Sequence, residues 1–212
     1  MKTVILTGLI VAMQMHPSPT SAGSGDGFSL VKSAEGVMLY ERWITRANQS
    51  AVREVKAVFT AVAHPHQVIR LLKDGPRGKQ WNSNALEYKV EHTTSPHAWS
   101  TYIRYDLPWP MDDQDGWLLY HCEMQQGLPM VVHFSSAPPG QHPVYDNITR
   151  VHGTRGRWEI EPAGDAIRVT YIVSTERSST IPRWMSDPLV QQHLVKTMQK
   201  FKAQLEQYPP MN

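Results

Sequence analysis

The chain has 212 residues, of which 41% are hydrophobic and seven are tryptophan, enough for one sizeable core in a single domain. Its 21 basic and 19 acidic side chains leave a formal net charge of +2. Because lysine and arginine are also dispersed, the charge pattern gives no indication of nucleic-acid binding. Cys122 is the only cysteine, which excludes an intrachain disulfide and a cysteine-cluster metal site. We expect Cys122 to be a small buried hydrophobic residue rather than a nucleophile.

The first 22 residues have the pattern of an export signal. Lys2 precedes an apolar run over residues 4–15, and the small residues 20–22 (TSA) fit a signal-peptidase site. The apolar run is too short to span a bilayer. The alternative is a disordered or interfacial N-terminal tail. We predict a signal peptide at residues 1–22, then a linker or N-terminal segment at residues 23–35, and hence a periplasmic or secreted protein.

Most of the following chain alternates between apolar and polar residues, which is typical of half-buried strands. Residues 28–35 are predicted as a short helix or a loop. After a first hairpin, a short helix is predicted to begin at His64 and Pro65 and to end at residues 74–76 (DGP). In chain order, the eight predicted strands cover residues 36–45, 52–61, 85–93, 99–107, 117–124, 128–134, 150–161 and 166–176.

Residues 99–124 contain two of these strands, joined by a turn rich in proline and aspartate. In the first strand Trp99, Ile103 and Tyr105 share one face, and polar residues share the other. In the second strand both faces carry large side chains. This pattern favours a curved sheet whose concave face lines a cavity over a sheet with one plain solvated face.

A long helix is predicted near the end of the chain. Asp187 suits the N-cap and Pro188 the first helical position, and apolar residues then recur at spacings of three and four. This stripe consists of Val190, Leu194, Met198, Phe201, Leu205 and Tyr208. Because such a stripe must be buried, we predict an α+β fold in which a curved antiparallel sheet wraps around the helix.

Several segments resemble one known family in sequence and in order. They are Trp81-Asn82, residues 107–115 (LPWPMDDQD), the set Arg150, Trp158, Ile160 and Pro162, and residues 181–185 (IPRWM). Over residues 30–206 the chain is similar to START domains of the bacterial exported type, in the lipid-transfer branch of the helix-grip (Bet v 1-like) superfamily. It departs from the family pattern at Gln114, Gly116 and residues 178–180, which leaves the ligand class open.

The resemblance implies a helix-grip domain at residues 36–208, with a cavity between the sheet and the C-terminal helix that holds one lipid or sterol-like ligand. Independently, the strands predict a mostly apolar pocket with a few polar anchors. The polar candidates are Arg104, Asp106, His121, Glu123 and His133, and the candidates for the apolar and aromatic lining are Tyr102, Tyr120, Trp158, Leu194, Met198 and Phe201. For each polar candidate, the alternative is a surface residue or a structurally satisfied pair.

The favoured function is the binding or transfer of a hydrophobic small molecule. The expected partners are a lipid or another apolar ligand and, transiently, a membrane, but not nucleic acid. The alternative is an enzyme of the cyclase or aromatase type on the same fold, with His121 or Glu123 as general acid or base. The sequence contains no catalytic elbow, phosphate-binding loop or dinucleotide fingerprint. Its ten histidines are scattered, so neither a metal nor a cofactor is expected.

Overall fold

The computed structural model describes residues 26–46, 51–92, 95–107, 112–176 and 183–209, and of residues 92 and 183–186 the backbone alone. The predicted signal peptide, the proline-rich residues 108–111 and residues 178–180 lie outside the described residues. In chain order, the elements are β1 (Ser29–Ala34), β2 (Val37–Thr45), β3 (Ala51–Ala61), α1 (Pro65–Leu72), α2 (Gly75–Trp81), β4 (Ala85–His92), β5 (Ala98–Tyr105), β6 (Gln114–Glu123), β7 (Met130–Ser136), β8 (Thr149–Arg150), β9 (Arg155–Ala163), β10 (Ala166–Ser174) and α3 (Arg183–Glu206).

All of these strands belong to one curved sheet. Its order is β1-β2-β3-β10-β9-β7-β6-β5-β4, and every neighbouring pair in this order is antiparallel. The short β8 lies off this path and pairs in parallel with the start of β6. The predicted α+β fold, a curved antiparallel sheet around a C-terminal helix, is confirmed.

The edge strand β1 corrects one prediction, since residues 28–35 were expected to form a helix or a loop. The main chain of β1 pairs with β2 over Ser29 to Ala34, while most of its side chains remain exposed. Main-chain hydrogen bonds to the open edge of β2 therefore hold this strand. A strand that is held by main-chain hydrogen bonds needs no alternating apolar residues, so the sequence pattern does not predict it.

The helices also differ from their predictions at two boundaries. A second helix, α2, begins where the sequence predicted only a stop, because the Asp74 carboxylate accepts a hydrogen bond from the backbone N–H of Arg77 at 3.0 Å and so caps a new helix. The long helix α3 begins at Arg183 and contains Pro188, rather than beginning at Pro188. A proline inside a helix cannot donate to the carbonyl four residues earlier, so one hydrogen bond is absent from the early part of α3.

The sheet has an inner face, which is turned toward α3, and an outer face. Alternate residues of each strand share a face; Leu39, Ala57 and Trp158 mark the inner face of β2, β3 and β9, and all three are fully or almost fully buried. They belong to one hydrophobic cluster that includes Leu194, Val195, Met198, Phe201 and Leu205 of α3. The predicted apolar stripe of the helix is thus buried against the sheet from residue 194 onward.

Aromatic rings fill the interior near the C-terminal half of α3. The ring of Phe201 lies 4.9 Å from Trp81 and 4.8 Å from Trp158, measured between ring centroids, and 6.3 Å from Phe59. Aromatic pairs of this kind contribute about 0.5–1.5 kcal/mol each beyond the burial of their area. This cluster therefore attaches the C-terminal half of α3 to both the sheet and α2.

Candidate functional site

The space between the inner face and α3 is filled unevenly along the helix. Near the C-terminal half of α3, Phe201 and Leu205 are fully buried. Farther along the inner face, Tyr105, Leu118, Tyr171 and Val173 pack against the core but are only partly buried, and so is His193 of α3. Side chains that face the helix yet remain partly exposed border an accessible space. We call these five residues the inner site.

A row of four aromatic rings crosses the inner face beside this site. Trp99 stacks on Tyr120 with ring centroids 4.9 Å apart, Tyr120 lies 5.6 Å from Phe134, and Phe134 stacks on Tyr171 at 5.6 Å. Gly156 makes the row continuous, because a Cβ there would lie 2.5 Å from the Phe134 ring. The inner face therefore presents a broad aromatic surface with hydroxyl groups at Tyr120 and Tyr171.

Four tyrosines bring hydroxyl groups into the interior. Tyr88 donates to a backbone carbonyl of α1 at 2.9 Å, and the hydroxyl of Tyr105 accepts a hydrogen bond from the Asn82 amide at 3.0 Å. The hydroxyls of Tyr120 and Tyr171 have no hydrogen-bond partner in the part of the chain that the structure describes. Since buried polar groups are normally paired, these two hydroxyls are available to a ligand.

Burial keeps these phenols uncharged. Desolvation is the largest cause that raises the pKa of Tyr88, Tyr105, Tyr120 and Tyr171 above the ordinary value, because a buried phenolate would lose its hydration. Neighbouring tyrosines add to the shift at Tyr88, Tyr120 and Tyr171, which indicates that the hydroxyls lie close together. At neutral pH this surface offers hydrogen bonds without charge.

One ionisable side chain of α3 faces the same space. The ring of His193 approaches Tyr105 edge-on, with ring centroids 5.9 Å apart. Its pKa is lowered from the ordinary value, first by burial and then by the positive charges of Lys196 and Lys200. The imidazole is therefore neutral at pH 7, where one ring nitrogen donates a hydrogen bond and the other accepts one.

Within residues 187–193 of α3, whose side chains the structure describes, polar contacts link the helix to the sheet. The Arg53 guanidinium of β3 lies 3.3 Å from a carboxylate oxygen of Glu41 and 3.0 Å from one of Asp187. Gln191 donates to Glu41 at 2.9 Å, whereas Val190, predicted to belong to the buried stripe, is 43% exposed. Contacts of this kind are weaker than a packed core, so residues 187–193 are held less firmly than the segment from residue 194 onward.

The fold agrees with what sequence comparison finds. A family model for the START domain matches residues 29–210. The chain belongs to the START domain family. A relative from Pseudomonas aeruginosa, described as an uncharacterized protein, is 26% identical over 184 residues, which cover 85% of this chain and 88% of the relative.

Solved structures share the fold of this START domain. The STAR-related lipid transfer protein of Xanthomonas axonopodis superposes with a TM-score of 0.74 at 23% identity, over 85% of this chain and 99% of the other. The Zhui aromatase/cyclase of Streptomyces sp. R1128 superposes with a TM-score of 0.50 at 10% identity, over 73% and 94%. At these identities the similarity establishes the helix-grip fold, which both a lipid transfer protein and an enzyme use.

Three of the predicted polar anchors, His121, Glu123 and His133, lie on the outer face of this START domain. The prediction that they line the cavity is wrong. His121 of β6 pairs with His133 of β7 across the ladder, and Glu123 lies 3.7 Å from His133. All three side chains are exposed, because Tyr120 and Cys122 occupy the inward positions of β6. His121 and Glu123 are therefore not placed to act as acid or base on a ligand in the inner site.

The other two polar candidates and one aromatic candidate are also outside the interior. Arg104 lies on the outer face and donates to the Asp113 carboxylate at 2.8 Å, and Asp106 is exposed after the end of β5. Tyr102 is buried, but on the outer face, where its ring centroid is 5.1 Å from that of Trp117. Arg104 therefore belongs to a surface ion pair, and Tyr102 to an aromatic cluster on the outer face. None of the three residues lines the interior.

The remaining candidates lie in the interior of the START domain. Tyr120, Trp158, Leu194, Met198 and Phe201 all belong to the main buried cluster. The sequence reading missed four residues of the inner site, namely Leu118, Tyr171, Val173 and His193. Tyr171 could have been found, because Val169, Tyr171 and Val173 are every second residue of β10 and share its apolar face. His193 interrupts no pattern, and it was not distinguishable from the surface histidines.

The described part of the START domain offers neither a metal centre nor a reactive thiol. Within those ranges, no three histidine, cysteine, aspartate or glutamate side chains are grouped closely enough to hold a metal ion. Cys122 is buried, as predicted, and burial raises the pKa of its thiol, so it stays protonated. No helix in those ranges is long and apolar enough to cross a membrane.

The buried tyrosines predict alkaline unfolding. Their folded-state pKa values lie above the unfolded value of about 10, so the stability they contribute is fully present below that pH and is lost as the pH rises toward the folded-state values. We expect the interior phenols of Tyr88, Tyr105, Tyr120 and Tyr171 to ionise only as the fold is lost. In a titration followed by tyrosinate absorbance and near-ultraviolet circular dichroism, the part of the absorbance that comes from these four should appear together with the loss of the dichroism. Ionisation of these four near pH 10 with the dichroism intact would contradict this.

Proposed function

We propose that this START domain binds and transfers one hydrophobic small molecule, a lipid or a sterol-like compound, held in the inner site between the sheet and α3. The observation that carries the proposal is the partial exposure of Tyr105, Leu118, Tyr171 and Val173 on a face that is otherwise closed by the helix. A mostly apolar lining with a few polar groups is the usual character of a small-molecule site.

Two physical terms would act on such a ligand. Burial of its carbon surface contributes about 25 cal/mol per Å². Orientation comes from the unpartnered hydroxyls of Tyr120 and Tyr171 and from the neutral imidazole of His193. Because these groups carry no charge at pH 7, and because an unpaired charge is costly to bury, the part of the ligand that they contact is a neutral hydroxyl or carbonyl group.

The two halves of α3 suggest how the ligand enters and leaves. The C-terminal half is attached by the aromatic cluster around Phe201, whereas the N-terminal half is attached by the polar contacts of Arg53 and Gln191. Segments that admit ligands come from the less stable parts of a structure. We therefore assign the gate to the N-terminal half of α3.

Native mass spectrometry of the protein, purified without detergent, tests binding directly. We expect one co-purifying lipid-sized ligand per chain. Leu118→Trp, which fills the inner site, should lower the affinity for that ligand about tenfold. Leu119→Trp is the matched control, because Leu119 is the next residue on the same strand and lies on the outer face with 38% exposure. Equal ligand loss in both variants, with unchanged melting temperatures, would place the ligand elsewhere.

We also propose that the protein is exported. The proposal rests on the order of Lys2, the apolar residues 4–15 and the small residues 20–22, which is the order of a signal peptide. N-terminal sequencing of protein isolated from its native host should begin near Gly23. An intact Met1 on protein from the cytosolic fraction would contradict export.

A further inference from the structure

A cavity lies on the outer face of the sheet, away from the inner site. It has a volume of about 160 Å³ and is formed between β6 and the segment that leads from β7 to β9. Its lining residues include Trp117, Pro139, His142, Val144 and Arg150. Because the strands separate it from the interior, its occupant is independent of the ligand proposed for the inner site.

An aromatic pair forms one wall of this outer cavity. The imidazole of His142 stacks on the indole of Trp117, with ring centroids 3.8 Å apart and planes 7° apart. Trp117 in turn packs with Tyr102 and Ala137 in a small buried cluster. Pro139 and other apolar side chains contribute further lining. The wall formed by Trp117 and His142 is therefore flat and supported from below, which suits a small ring-shaped group.

The polar side chains that line the cavity are those of His142, Arg150 and His152. Arg150 donates from Nε and Nη2 to the two carboxylate oxygens of Asp115, at 2.6 and 2.9 Å, and Nη2 also donates to the backbone carbonyl of Pro143 at 2.6 Å. Its Nη1 donates to none of the residues that the structure describes. The indole N–H of Trp117 is fully buried beneath the cavity and has no acceptor in that part of the chain, so it reports on the cavity without contacting its contents. No acidic side chain lines the cavity.

We propose that this cavity binds a small carboxylate that carries one apolar ring, a molecule of the size of benzoate. An engineered cavity of about 150 Å³ accommodates benzene, so the volume suits one ring. A carboxylate supplies an acceptor for Nη1 of Arg150, and hydrogen bonds from a guanidinium to a carboxylate are among the stronger ones. The Asp115 contacts fix the guanidinium in advance, so little side-chain entropy is lost when the ligand binds.

Benzoate is the probe for the test, and the indole N–H resonance of Trp117 is the site-specific readout. That resonance is assigned by its loss in Trp117→Phe. Titration of the full chain with benzoate at millimolar concentrations should shift it in a saturable way. Benzyl alcohol, which keeps the ring but has no carboxylate, should bind about tenfold more weakly. No saturable shift, or equal binding of the two probes, would overturn the proposal.

A charge at the rim gives a second test that does not depend on buried residues. Val144 lines the cavity and is 74% exposed, so Val144→Asp should fold normally and weaken benzoate binding about tenfold through charge repulsion. Val62→Asp is the matched control, because Val62 is 72% exposed beyond the end of β3 and does not line the cavity. Equal affinities in the two variants would show that benzoate does not bind at this cavity.

Discussion

Replacing Phe201 by alanine is expected to lower the free energy of unfolding by about 3–5 kcal/mol. The Phe201 ring is fully buried and contacts Trp81, Trp158 and Phe59 within one aromatic cluster. Its loss removes the transfer energy of the ring and leaves a cavity that three large, mutually packed rings cannot close. Urea unfolding followed by tryptophan fluorescence measures the change.

The neighbouring residue supplies the control for Phe201. Lys200→Ala lies on the exposed side of α3 and should change the stability by about 0.5 kcal/mol or less. A similarly small loss for Phe201→Ala, together with a large loss of ligand affinity, would mean that Phe201 borders the ligand space instead of the core. The division of α3 into a fixed half and a gate would then need revision.

Replacing Arg150 by alanine is expected to destabilise the fold by about 3–5 kcal/mol as well, for an electrostatic reason. The Asp115 side chain is 1% exposed, and Arg150 is its partner through Nε and Nη2. Removing the guanidinium leaves a buried carboxylate without its counter-charge. Thermal and urea unfolding at pH 7 would show the loss.

Two further variants separate this buried pair from ordinary surface pairs. Arg104→Ala breaks the pair with Asp113, whose side chains are 32% and 24% exposed, and should cost only about 0.2–1 kcal/mol. The double substitution Asp115→Ala with Arg150→Ala should cost less than the sum of the two single changes, because no charge is then left alone. If the stability loss of the double variant equals the sum of the two single losses, Asp115 and Arg150 do not act as a unit.

The period-two pattern of residues 99–124 predicted the strands and their two faces, but it could not tell which face is inward. In β6, the inner residues Tyr120 and Cys122 alternate with outer Trp117 and His121. The outer set is bulky as well as the inner one, because the segment between β7 and β9 covers Trp117 on the outer face. Tertiary packing, which is not local, therefore decided the placement of the polar candidates.

The helix predictions show the same limit at their ends. The stripe from Leu194 to Leu205 was predicted, because its spacing follows the helical period and its burial is strong. The beginning of α3 was misplaced, because Pro188 has the features of a first helical residue but lies inside the helix. The inner site depends on contacts between distant strands and α3, so the sequence points only to Tyr105 among its five residues, as an aromatic that shares one strand face with Trp99 and Ile103.

Hydrogen exchange of the protein with and without its co-purified ligand tests the proposed site most directly. If the ligand lies between the inner face and α3, it should slow exchange over residues 188–205 more than over the hairpin of β2 and β3, residues 37–61. The largest effect should fall on the N-terminal half of α3, where Arg53 and Gln191 make the polar contacts. Uniform protection, or none, would contradict a ligand held under a helix that opens.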